Sequence, residues 1–221
     1  MHMEKEIQLI ARKIREGGKN IVFTGAGIST ESGIPDFRSQ GGIWDRFRPV
    51  YFDEFMSSKD ARIEYWRRKA ELYKDLVQAE PNAAHKSIFK LYEMGLVQAV
   101  ITQNIDGLHQ AAGVPVSKVV ELHGSIWRTR CTSCSRERED LRPGPAEIPV
   151  CDCGGRLRPA VVWFGESLDL DTLYTAAKAF EEADIQFSLP ARITYTSPES
   201  RKQPLELRMI DDREKAQGMA Q

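Results

Sequence analysis

No stretch of this 221-residue chain approaches the roughly 18 consecutive apolar residues of a membrane span, and its Met-His-Met-Glu-Lys start lacks the apolar core of a secretory signal. An excess of one charge is missing too. The 31 basic and 32 acidic side chains are interspersed and leave a net charge of -1, so no global field draws the chain to nucleic acid or to an anionic bilayer. Cysteine is scarce, with four residues in two close pairs, and without an export signal a metal site is expected rather than two disulfides. These absences point to a cytoplasmic protein with no membrane partner and no direct nucleic-acid partner. No internal repeat is present.

The length is enough to bury a substantial core. From Glu4 to Glu16, Ile7, Ile10, Ala11 and Ile14 recur at helical spacing, and Gly17-Gly18 ends the pattern as a C-cap does, so an amphipathic helix lying on the fold is expected. Short apolar runs follow at Asn20 to Thr24, Val97 to Thr102, Val119 to Leu122 and Ala160 to Phe164, with a helical stretch from Asn82 to Met94 and another from Thr172 to Asp184. Strands of this kind alternating with helices predict an α/β fold, a Rossmann-like parallel sheet with helical crossovers. Between Cys131 and Cys153 the chain is rich in Arg, Glu, Pro and Gly and poor in large apolar groups, which predicts an insert held together by metal. The expected division is residues 1–125 with 156–189 as the α/β domain, 126–155 as the metal-binding insert, and 190–221 as an atypical polar tail.

Four segments carry candidate chemistry. Gly25-Ala26-Gly27-Ile28-Ser29-Thr30 follows the first strand, where a Gly-x-Gly turn lets backbone amides approach a phosphate, although Thr30 takes the third glycine's place and a tight turn of small residues reads the same way. Its continuation, Gly33-Ile34-Pro35-Asp36-Phe37-Arg38, sets an acid, a ring and a guanidinium side by side. Thr102-Gln103-Asn104-Ile105-Asp106 leaves a second strand at its carboxyl end, where open α/β sheets bind ligands. His123 closes a third strand and is a candidate base; His85 and His109 read as structural. Cys131, Cys134, Cys151 and Cys153 can surround one tetrahedral Zn²⁺ with no position left for water, which makes the metal structural.

In this order, Gly25-Ala26-Gly27-Ile28-Ser29, Gly33 to Arg38, Thr102 to Asp106, His123-Gly124, the cysteine quartet and Val161-Val162-Trp163-Phe164-Gly165-Glu166 resemble the sirtuin family in its archaeal and bacterial form, over about residues 4–185. The resemblance implies an NAD-dependent protein-lysine deacetylase that transfers the acetyl group to ADP-ribose with release of nicotinamide. By resemblance, NAD is held by Gly25, Ala26, Gly27, Thr30, Asp36, Phe37 and Arg38 together with Gln103, Asn104, Ile105, Asp106 and His123. His123 is the implied general base, with Asn104 and Asp106 beside it in the catalytic set. Val162, Phe164, Gly165 and Glu166 are implied to pair with an acetyl-lysine peptide or protein as an added strand. One Zn²⁺ is implied on the four cysteines.

Tyr65 and Arg68 have the spacing found in succinyl-preferring members but stand about one helical turn too far from Glu80-Pro81-Asn82, so acetyl is the expected acyl group and Arg62 to Lys74 is expected to be a solvated charged helix. Beyond Asp184 the Gly-Thr-Ser strand end that the family uses for the adenosine half of NAD is absent, which suggests a shifted frame or a truncated form. Two alternatives follow: mono-ADP-ribosyl transfer, and a catalytically impaired zinc-containing binding module.

Overall fold

The computed structural model describes residues 2–36, 42, 48, 50–139 and 148–183. Phe37, Arg38 and the tail expected at 190–221 therefore lie outside the described residues.

Three strands, β1 (Asn20–Thr24), β2 (Val97–Thr102) and β3 (Val119–Glu121), form a parallel sheet in the order β1-β2-β3. Their apolar side chains face both ways, as strands covered on two sides must. On one face Val97, Val100 and Val119 pack with Ile88 of a crossover helix and Val114. On the other, Ile21, Ile101 and Leu122 pack with Ala176. Val22 and Phe23 join opposite clusters, the alternation a pleated strand dictates.

The helices are α1 (His2–Glu16), α2 (Phe52–Ser57), α3 (Lys59–Gln78), α4 (Ala83–Glu93), α5 (Leu108–Ala111) and α6 (Leu170–Glu181). Asn82 caps α4 by accepting from the Ala84 and His85 amides, and Asp169 caps α6 by accepting from the Thr172 amide. Helix α1 buries less than its periodicity suggests: Ile7, Leu9 and Ile10 are exposed, because among the described residues no element lies over that stripe. Asn20 ties the helix to the sheet, its amide nitrogen donating to Ile14 O, Gly17 O and Leu96 O.

Two expectations need correction. The run Ala160 to Phe164 is not a fourth parallel strand. The last strand among the described residues, β6 (Leu157–Val161), pairs antiparallel with β4 (Gly124–Cys131), which also pairs antiparallel with β5 (Glu137–Glu139) in a second sheet. The chain passes almost directly from β3 into β4 through Gly124, whose φ of 73° favours glycine and whose added Cβ would stand 2.0 Å from the Ala160 carbonyl oxygen. Helix α3 is also not simply solvated. Arg62, Trp66, Lys69 and Tyr73 form a buried stripe, with Arg62 donating to the Phe55 and Met56 carbonyls and Lys69 lying 4.9 Å from the Trp66 ring centre.

Candidate functional site

The carboxyl ends of β1, β2 and β3 bring three of the four candidate segments together. Gly25 follows β1 in an extended conformation and opens a 3-10 turn, Ala26–Ser32, rather than a long helix. The turn hides Ser29, whose hydroxyl donates to Asp106 Oδ2 at 2.7 Å and accepts from Asn104 Nδ2 at 3.0 Å. One loop is thus fastened to the other by two buried side-chain bonds. Asp106 is consumed further: its Oδ1 accepts from the Leu108 amide at 2.9 Å, and its carbonyl accepts from Trp127 Nε1 at 2.6 Å.

His123 follows β3. Its Nδ1 lies 2.8 Å from the Gln103 carbonyl, which can only accept, so Nδ1 carries the proton and Nε2 presents a lone pair. Burial holds this imidazole below its ordinary pKa, against the Gln103 bond that favours the charged form. The ring is neutral at neutral pH, the state a proton acceptor needs. Beneath the loops His85 and His109 are fully buried, with ring centres 4.9 Å apart. Burial first, then the His85 charge, pulls His109 down to about 4 against the opposing pull of Asp106.

The remaining expected residues fall as follows. Gly27 has nothing within 4 Å of an added Cβ, Thr30 is exposed and bonds back to Gly27 O, and Asp36 is half-buried. Ile105 is half-buried, and its carbonyl accepts from the Ile126 amide. Val162 donates its amide to the His123 carbonyl at 3.0 Å, which joins the last segment to the base. Phe164 and Gly165 form an exposed turn, Gly165 at φ 85°. Part of that turn is already engaged, since the Phe164 carbonyl accepts from Phe52 and the Glu166 amide donates to Trp163. The Glu166 carboxylate is held by Arg158 at 2.7 Å and by the Trp163 amide. Ser29 stands inside the Gly25 to Thr30 motif with no mark of its own; Thr24 and Thr102, which support the loops, carry no signal beyond their position at strand ends, and Trp127, inside β4, carries none.

The four cysteines are free thiols whose sulfur atoms all lie within 4.8 Å of one another, with Cys131 to Cys153 at 3.5 Å and Cys134 to Cys151 at 3.8 Å. Tetrahedral thiolates about 2.3 Å from one Zn²⁺ stand about 3.8 Å apart, so the cluster fits that ion. The Cys134 amide, opposed by burial and joined by the Ser133 amide, brings the Cys131 thiol down to about 6. The Gly155 amide acts to lower Cys153, yet the neighbouring sulfurs raise it to about 12, so a cation is what lets all four ionise together. Gly155 sits where a Cβ would come within 2.5 Å of Cys131 Sγ, leaving the quartet room to close.

Fold and site define an open α/β ligand-binding protein with an appended thiolate metal module. The model of the Sir2 family matches residues 25–191. The chain is 42% identical over 180 residues to an NAD-dependent protein deacetylase of Thermodesulfovibrio yellowstonii, covering 79% of this chain and 70% of that one. Among solved structures it resembles a Sir2 homolog–NAD complex (TM-score 0.69, 39% identity, 80% of this chain and 69% of the other). It also resembles the solved structure of a Sir2 histidine-to-alanine variant with a deacetylated p53 peptide and 3'-O-acetyl ADP-ribose (TM-score 0.69, 38% identity, 80% and 73%). This chain belongs to the Sir2 family. The residues matched include all three strand-end loops and the cysteine quartet.

Proposed function

We propose that the chain acts as an NAD-dependent protein-lysine deacetylase with the strand-end loops as its active site. The observation that carries the reading is the meeting of Ser29, Asn104, Asp106 and His123 at the carboxyl ends of β1, β2 and β3, with His123 Nε2 left as a lone pair. NAD, when bound, supplies the ADP-ribosyl group that accepts the acetyl as nicotinamide leaves.

On this reading His123 takes a proton from a ribose hydroxyl at Nε2, while its Nδ1–H stays on Gln103 O and fixes the ring. Asn104 and Asp106 hold the nicotinamide and ribose end, and Ser29 keeps both in place. Gly25, Ala26, Gly27 and Thr30 face the phosphates; the open space over Gly27 supports this, because nothing in the described chain itself requires a glycine there. Asp36, Phe37, Arg38, Gln103 and Ile105 complete the cofactor set. Val162, Phe164, Gly165 and Glu166 are the proposed peptide contacts, by backbone pairing at the groups their own turn leaves free. Cys131, Cys134, Cys151 and Cys153 hold one structural Zn²⁺ and take no part in a chemical step.

The same proposal divides the chain into 1–125 with 156–189, the insert 126–155, and 190–221. It takes acetylated-lysine proteins as substrates and the cytoplasm as the compartment, where free thiols persist. No helix among the described residues is long and apolar enough to cross a membrane. Mass spectrometry of an acetyl-lysine peptide incubated with the zinc-loaded chain tests it. Loss of the acetyl group only when NAD is present, with acetyl-ADP-ribose formed in equal amount, is the expected result. ADP-ribose attached to protein instead would assign mono-ADP-ribosyl transfer, and neither product would leave a binding module.

A further inference from the structure

We propose that His109 is a positioning residue for this reaction, acting through the hydroxyls of Thr24 and Thr102 to hold the backbone of Asn104. The inference rests on the reading of Asn104 as a pocket residue given above.

Thr24 and Thr102 are the last residues of β1 and β2 and stand opposite each other in register. Their hydroxyls are 2.8 Å apart and buried, with Thr24 donating to Thr102. Thr102 Oγ1 also accepts the Asn104 amide at 3.0 Å, and His109 Nε2 lies 2.9 Å from Thr24 Oγ1. A threonine hydroxyl has one proton. Thr24 gives its own to Thr102, so it presents a lone pair to His109, and His109 Nε2 must carry the hydrogen. An unbroken chain of bonds then runs from α5 through two strand ends to Asn104, and on through Ser29 to Asp106.

The chain reaches the segment where small displacements matter most. Residues 102 to 104 lead β2 out of the sheet, and within them the Gln103 carbonyl orients His123 while the Asn104 side chain holds Ser29. Loss of the Thr102–Asn104 bond frees both at once, and errors of about 1 Å in such a site cost about a hundredfold in rate. Burying an imidazole also carries a desolvation cost that a leucine in the same space would avoid, and His109 Nδ1 meets no partner among the described residues. The Nε2 bond to Thr24 is what the imidazole adds.

Steady-state nicotinamide release from NAD and an acetyl-lysine peptide, measured on the zinc-loaded full chain, tests the proposal. His109→Leu, Thr24→Val and Thr102→Val are each expected to lower kcat about tenfold while the KM for NAD changes by less than about threefold. The double variant His109→Leu/Thr24→Val is expected to be no slower than the slower single, and His109→Gln, which keeps a donor, to recover most of kcat. Losses that multiply to about a hundredfold in the double, or singles with unchanged kcat, overturn the relay. If His109→Leu does not fold, Thr24→Val, Thr102→Val and their double pose the same question on β-branched side chains that keep the strand's shape. Asn104→Ala separates the two levels: full activity there removes the pocket reading itself, whereas its loss beside normal relay variants removes only His109.

Discussion

The parallel sheet is covered on both faces, by Ile88, Val97, Val100, Val114 and Val119 on one side and Ile21, Ile101, Leu122 and Ala176 on the other. The cysteine-bearing end of the antiparallel sheet has Cys131, Cys151 and Leu157. A cluster of three small or medium side chains cannot offset the conformational entropy of the residues it must order, and a metal has to supply the difference. Polar groups are used differently as well. In the parallel sheet they are buried or half-buried at the strand ends, as with Ser29, Asn104, Asp106 and, half-buried, His123. In the antiparallel sheet they pair along the surface, Arg130 with Glu137 and Arg138 with Asp152. Such exposed pairs contribute at most about 1 kcal/mol each. The comparison separates a region where burial fixes chemistry from one where coordination fixes shape.

Removal of the metal should give the largest effect. Chelation is expected to unfold the segment around Cys131 to Cys153 while the parallel sheet keeps its protection, because structural Zn²⁺ contributes about 10–16 kcal/mol in small modules. Hydrogen exchange resolved by segment checks this, and uniform loss of protection in both sheets would merge the two regions into one. Gly124→Ala strikes the hinge between them. Its Cβ would stand 2.0 Å from Ala160 O at a left-handed φ, so a loss of about 2–4 kcal/mol is expected, measurable as a fall in urea midpoint.

A smaller effect, read chiefly in catalysis, is expected from Ser29→Ala. It removes the donor to Asp106 and the acceptor for Asn104, leaving both buried and short of a partner, and should lower nicotinamide release about tenfold or more with zinc content unchanged. The smallest effects concern pH. The folded His109 titrates at about 4 and the unfolded one at the ordinary 6.5, so between these values the unfolded chain binds a proton that the folded chain does not. Its contribution is complete above 6.5 and is lost as pH falls toward 4, by about 1.4 kcal/mol per pH unit at most, readable in melting temperatures. His123 shifts the same way, so the acid limb of kcat/KM is expected below 6.5.

Much of the parallel sheet was legible because its evidence is local: apolar runs ending in Gly25, Gln103 and His123 mark both the strands and the place where they stop. The cysteine quartet was legible for the same reason, through fixed spacing. Strand direction was not. The run Ala160 to Phe164 looks like its predecessors, and only its pairing with β4 makes it antiparallel, a long-range fact that no apolar pattern contains. The buried side of α3 escaped because Arg62 and Lys69 read as solvent-facing until the Phe55 carbonyl and the Trp66 ring are placed beneath them. Ser29 escaped because a serine in a tight turn has the same letter whether it faces water or joins Asn104 to Asp106.

The most direct measurement is the steady-state rate of nicotinamide release over many turnovers by the zinc-loaded chain and by its His123→Ala variant, with NAD and an acetyl-lysine peptide both present. Release that needs both substrates and falls about 10²–10⁴-fold in the variant, with zinc content and melting temperature retained, is the expected result. A His123→Ala protein that releases nicotinamide at the wild-type rate would contradict the assignment of the chemistry to the strand ends.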